Sequence, residues 1–247
     1  MISETERLQK IAQFYDTETD DYDNGYSSIT CRAEDAVVAD ILSRYLKGRV
    51  LDVGAGSGLL YEIMDHKEYV GIELSPKMTH QAKLKHPEQP FIVADMHHLP
   101  FADESFDSAV SLYGPISYSL SPEELLREIV RVVKPGGFVA LMPYTLRVGH
   151  GLEMGGYSTA TEKGIDKVFY TEEQLKELFS RELENVEVYG INYFLNTYTR
   201  FLQAMNFDVD QTIDQFVEFL MNESTLRQQV PAEFARHMIG IGQVPNR

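Results

Sequence analysis

The chain has 247 residues with a formal net charge of −16, 43% hydrophobic and 24% charged residues, and one cysteine, Cys31. That hydrophobic share supplies a core for one large domain, and a single cysteine excludes an internal disulfide and a thiolate metal site. The acidic balance with no Lys/Arg cluster argues against a nucleic-acid substrate, and without a long apolar run or a signal-like N-terminus a cytoplasmic protein with no membrane partner is expected.

The N-terminal stretch "IAQFYDTETDDYDNGYSSITCR" (11–32) reads as part of a helical cap over residues 1–44. Behind it, strand-like and helix-like segments alternate. Residues 49–56 read as a buried strand, 59–66 as a helix and 69–74 as a second strand. A helix over 76–87, stopped by Pro87, leads to strands at 90–95 and 106–113. Ser121 is a candidate N-cap, with Glu124 as its capping-box partner, for a helix over 121–137 closed by Pro-Gly-Gly. A fifth strand follows at 138–144. Residues 144–164, rich in glycine and polar side chains, are long for a plain connection and read as a lid loop.

Thr171 opens a further helix over 170–183, and strands are expected at 186–195 and 237–244. The insert at 198–235 places Ile213, Phe216, Val217, Leu220 and Met221 on one helical face, which suits core, a lid or a dimer surface. Repeated strand–helix units imply a parallel sheet covered on both faces. One domain is expected: the cap, a core over 45–145, and a C-terminal part over 146–247.

The stretch "VLDVGAGSGLL" (50–60) carries the chemistry. Glycines between a strand and a helix let backbone approach a ligand at the helix N-terminus. The dinucleotide fingerprint is Gly-x-Gly-x-x-Gly; here Gly54, Gly56 and Gly58 are spaced Gly-x-Gly-x-Gly, and Leu59 stands where the last glycine belongs. No Gly-Lys-Ser/Thr triplet marks a P-loop. Glu73, nineteen positions after Gly54, is placed to accept from ribose hydroxyls. Asp95, ending the third strand, could accept from an adenine amine flanked by Met96 and Leu99. Adjacent His97 and His98 point apart on a turn and make a poor metal site.

In order and spacing, "VLDVGAGSG", "GIELS", "ADMHHLPFADESFDSAV" and "LREIVRVVKPGGFVALMPY" resemble the class I S-adenosylmethionine-dependent methyltransferases over residues 45–145. The resemblance implies a Rossmann-like, doubly wound, seven-stranded and mainly parallel α/β sheet with helices on both faces and an antiparallel last strand. It implies that Asp52, Gly54, Ala55, Gly56 and Gly58 meet the methionine end of the cofactor. Glu73 would hold the ribose, Leu74 the ribose or adenine side, Asp95 and Met96 the adenine, with His97 and Leu112 nearby. A comparable "FYD…YD" cap suggests Tyr22 and Arg32 as cofactor contacts, and Tyr15 and Tyr26 as cofactor or acceptor contacts; tyrosines packed on the sheet and a surface ion pair are the plain alternative.

Tyr113 and Tyr118 follow the fourth strand and would wall an acceptor pocket, joined by Arg147 and His150 from the long loop. No catalytic residue is fixed by the sequence; His150, as a general base, and Tyr113 are the candidates, and a solvated loop histidine is the favoured alternative for His150. The implied reaction moves a methyl group in line onto N, O or C of a small-molecule acceptor and leaves S-adenosylhomocysteine, in a monomer or homodimer. An S-adenosylmethionine-binding protein without methyl transfer and a nicotinamide oxidoreductase are the rival readings.

Overall fold

The computed structural model describes residues 4–19, 22–64, 68–145, 158–162, 165–193, 217, 218, 220, 221 and 230–246. Three helices, α1 (Glu4–Glu18), α2 (Tyr22–Gly25) and α3 (Ile29–Ser43), precede the sheet. The sheet strands are β1 (Arg49–Val53), β2 (Glu68–Glu73), β3 (Phe91–Val93), β4 (Phe106–Ser111) and β5 (Val133–Leu141), then β8 (Glu184–Ile191) and β9 (His237–Gln243). Helices α4 (Leu59–Ile63), α5 (Pro76–Lys85), α6 (Pro122–Val132) and α7 (Glu172–Phe179) lie between them. The order β3-β2-β1-β4-β5-β9-β8 gives seven strands, with β9 alone antiparallel to its neighbours. The expected doubly wound, Rossmann-like α/β sheet is therefore the one observed.

Strand alternation divides the interior into two layers. Val50, Val110, Ala140, Ile239 and Ile241 face the layer covered by α3. Leu51, Ala109, Val139, Leu141 and Met238 face the layer under α6 and α7. The buried stripe Leu125, Leu126, Ile129 and Val132 explains why α6 forms where it does.

Several boundaries differ from the sequence expectation. The sixth helix ends at Val132, and the Pro-Gly-Gly segment belongs to β5. Phe106 pairs with Val133 but Ser108 with Phe138, so residues 134–137 bulge out of register. Glycine is needed there, since a Cβ on Gly137 would lie 2.5 Å from the Asp107 carbonyl oxygen. Ser121 makes no side-chain cap; its ψ of 64° turns the backbone away from extended geometry. Thr171, by contrast, forms a full capping box with Gln174.

Part of the expected lid loop is a hairpin, β6 (Ser158–Glu162) with β7 (Ile165–Phe169). Arg147, His150 and Glu153 lie outside the described residues, as do Ile213 and Phe216. Leu220 is buried, with Val217 and Met221 packed on the α3 layer. Among the described residues no helix is long and apolar enough to cross a membrane.

The two caps give a direct comparison. Thr171→Ala is expected to cost about 1 kcal/mol and lower the denaturation midpoint, because it removes the acceptor of the Gln174 N–H bond. Ser121→Ala should change stability far less. Urea titrations with unchanged slopes check both.

Candidate active site

The parallel strands end on one edge, where open α/β sheets take their ligands. After β1 the backbone turns sharply: Gly54 N–H and Ala55 N–H both donate to the Ile72 carbonyl, at 2.9 and 2.8 Å. Gly54 has φ +78°, and a Cβ there would lie 2.4 Å from Pro115. Only glycine fits this cradle. Gly58, at φ 98°, is the N-cap of α4.

Glu73 ends β2 beneath the loop. Its Oε2 accepts from Gly56 N–H at 3.1 Å and its Oε1 from Ser75 N–H at 2.9 Å. Burial raises the pKa of this carboxyl, with those N–H groups working against the shift. Asp95 follows β3. Its Oδ1 accepts from His97 N–H and lies 2.9 Å from His97 Nδ1, while His97 Nε2 lies 2.9 Å from Ser119 Oγ. Burial acts to raise the Asp95 pKa, but the His97 contacts outweigh it and hold it below the usual carboxylate range.

Two cavities meet over the loop. The first, about 710 Å³ including open space, is lined among the described residues by Tyr15, Tyr22, Glu73, Leu74, Asp95, Met96 and Tyr118. The second, about 1660 Å³ including open space, takes in Tyr26, Arg32, Asp52 and Ala55. Tyr22, Gly54, Gly56, Leu112 and Tyr113 line both. Gly58 and His97 line neither; the first caps a helix and the second buttresses Asp95. Arg32 is exposed at the second cavity and has no ion pair among the described residues. Among those residues, no three His, Cys, Asp or Glu are grouped to hold a metal.

Residues 51–141 match the family model described as a methyltransferase domain. Over that stretch the chain is similar to a methyltransferase domain of the S-adenosylmethionine-dependent class I kind. The demethylmenaquinone methyltransferase of Paenarthrobacter aurescens is 32% identical over 111 residues, 44% of this chain and 44% of that protein. This chain spans about half the length of the curated relatives it matches.

Among solved structures, the [4+2]-cyclase SpnF aligns over 97% of both chains with TM-score 0.65 and 19% identity. A Thermotoga maritima S-adenosylmethionine-dependent methyltransferase, a possible histamine N-methyltransferase, aligns over 94% of this chain and 98% of its own, with TM-score 0.62 and 15% identity. At those identities the likeness is one of fold.

A phosphate-free nucleoside joined to a zwitterion needs close backbone approach and acceptors for its hydroxyls and ammonium. Gly54 and Gly56 line both cavities, Glu73 and Asp95 line the first and Asp52 the second.

The cap is tied down at two points. Asp16 accepts from Ser75 Oγ–H and Lys77 N–H at the start of α5. Asp23 accepts from Ser57 Oγ–H at 2.6 Å, on the glycine loop, and from Lys85 at 3.0 Å. These contacts place Tyr15 and Tyr22 over the first cavity.

The sequence reading missed the far wall of the second cavity. There Glu34 and Asp35 of α3 face Arg236 and His237 at the start of β9. Glu34 is 1% exposed and accepts from Arg236 Nη1 at 3.1 Å and from Asn192. Burial acts to raise its pKa, but His237, Arg236 and Asn192 outweigh it and lower it. Asp35 accepts from Tyr113 Oη–H; burial pushes its carboxyl up to about 6. Tyr113 sits at φ +57°, a left-handed backbone costly for a bulky residue and characteristic of strained functional sites. An Arg-His pair before an apolar strand was the available signal, but only the antiparallel course of β9 gives it meaning.

Proposed function

We propose that the protein transfers a methyl group from S-adenosylmethionine to N, O or C of a small-molecule acceptor. The observation that carries this reading is the pair of cavities joined over the glycine loop, one suited to a nucleoside and one open toward an acceptor. The donor supplies an electrophilic methyl on a sulfonium, so the chain need only align the reacting atoms and keep water out. Glu73 is assigned to the ribose hydroxyls, Asp95 to the adenine amine with Leu74 and Met96 beside the ring, and Asp52 to the ammonium. Arg32, as an exposed cation without an ion pair among the described residues, suits the carboxylate. Tyr22 roofs the donor, and Tyr113 stands where donor and acceptor meet.

Titration calorimetry with S-adenosylhomocysteine and with NADH tests the donor. Micromolar binding of the first and none of the second is expected. Release of S-adenosylhomocysteine from the methyl donor with a panel of phenols, amines and carboxylates tests transfer. Tight binding with no turnover on any of them would favour a binding protein, the reading that the cyclase sharing this fold keeps open.

A further inference from the structure

We infer that His237, oriented by Glu34, is the base that takes the proton from a hydroxyl acceptor of the phenol class. This rests on the methyl-transfer reading above. Because β9 runs antiparallel, its first residues lie at the carboxyl ends of the parallel strands: Gly240 pairs with Leu141, the last residue of β5, and His237 lies three residues further toward the ligand edge. His237 Nε2 lies 3.5 Å from Glu34 Oε2. With that nitrogen turned to a carboxylate, Nδ1 is left as the proton acceptor.

The imidazole packs edge-on against Tyr113, with ring centroids 5.1 Å apart and an interplanar angle of 83°. Tyr113 lines both cavities, so the base is one ring away from their junction. Tyr113 itself is not the base, since its hydroxyl proton is already given to Asp35. The charged and titratable groups that share the second cavity with the imidazole are Asp23 and Tyr26 of the cap, Cys31, Arg32, Glu34 and Asp35 of α3, Asp52 of β1, Glu62 of α4, Lys85 of α5, Tyr113 after β4, and Arg236 just before β9. Ala36 and Ala39 of α3 and Ile63 of α4 offer apolar wall for an aromatic body.

A neutral amine needs no base to accept a methyl group, whereas a hydroxyl does. The acceptor O–H gives its proton to Nδ1 as its oxygen bonds the methyl carbon, and the breaking carbon–sulfur bond leaves its electron pair on sulfur. Histidinium, methyl ether and S-adenosylhomocysteine balance the step.

The test uses the full chain saturated with S-adenosylhomocysteine and 4-nitrophenol as a chromophoric probe. The bound probe is expected to ionise at least about one pH unit below the free phenol in the wild type, with that shift lost in His237→Gln. With the methyl donor, O-methylation of 4-methylphenol should fall about a hundredfold or more in His237→Gln, and the acid limb of its pH profile should vanish.

Equal ionisation midpoints, or equal pH profiles, in the two proteins overturn the assignment. Failure of the probe to bind while S-adenosylhomocysteine binds normally overturns the acceptor class alone. Failure of S-adenosylhomocysteine to bind the wild type overturns the methyl-transfer reading instead. Should His237→Gln not fold, Glu34→Gln serves: it keeps the imidazole and is expected to reduce the midpoint shift, and an unchanged shift there counts against the dyad.

Discussion

Asp52→Asn is expected to stabilise the ligand-free protein at pH 8 by about 4 kcal/mol while weakening S-adenosylhomocysteine binding. Asp52 is 2% exposed and accepts one hydrogen bond, from Tyr69 Oη–H at 2.7 Å. Burial pushes its pKa up to about 7 from the ordinary 3.8; the Tyr69 bond opposes the shift, and the negative charge of Glu73 adds to it. The sign follows from proton binding. Between those two pH values the folded state holds a proton that the unfolded state has lost, so stability falls as pH rises and the full loss applies above the folded value. About three pKa units at 1.36 kcal/mol each give the figure. Asparagine keeps an acceptor for Tyr69 and carries no charge, so its gain should grow from about 1.5 kcal/mol at pH 5 to about 4 kcal/mol at pH 8.

Chemical denaturation at the two pH values measures that growth, and a gain that does not depend on pH would sink the account. The same carboxyl should ionise when a cationic ammonium enters the second cavity. Binding near neutral pH then releases a proton, seen as calorimetric heats that vary with the buffer's ionisation enthalpy. Asp52→Asn should abolish that variation.

What could be read from the sequence follows from where its signals are local. Buried parallel strands such as "RVLDV" and "EYVGIE" are short apolar runs, and the glycine turn between strand and helix is written in consecutive residues. Glu73 and Asp95, which line the first cavity, stood out in the sequence because each lies at the end of such a run. The β6–β7 hairpin was hidden because its first strand, "STATE", holds only polar residues and an alanine, and neither strand offers a regular apolar alternation. The end of α6 was misplaced because helix period and strand both suit "VRVV", and only pairing with β4 decides that Val133 is strand.

The far wall of the second cavity had no local signal at all. Glu34 and His237 stand about two hundred positions apart, and their meeting depends on α3 crossing the sheet edge where β9 begins. His150, the base suggested by the sequence, lies outside the described residues; the histidine that the geometry brings beside Tyr113 is another one.

Glu73→Ala should have the larger effect on cofactor affinity. The carboxylate already accepts from Gly56 and Ser75, which fixes its plane and ties the glycine loop to the end of β2. Each oxygen retains a second lone pair, and the residue lines the first cavity. Two ribose hydroxyls donating there would form charge-assisted bonds worth about 1.5 to 3 kcal/mol each. Their joint loss corresponds to a rise in the dissociation constant of S-adenosylhomocysteine of about 10² to 10⁴. Asp95→Asn should cost less, since asparagine still presents an acceptor to the adenine amine. Loop disorder could mimic the Glu73 effect, and a ligand-side deletion separates the two. The 2′-deoxy analogue should bind the wild type about tenfold or more weakly than its parent, and the two should bind Glu73→Ala alike, giving a coupling energy between side chain and hydroxyl. If the analogue loses the same factor in both proteins, Glu73 does not hold the ribose and its role is confined to bracing the loop.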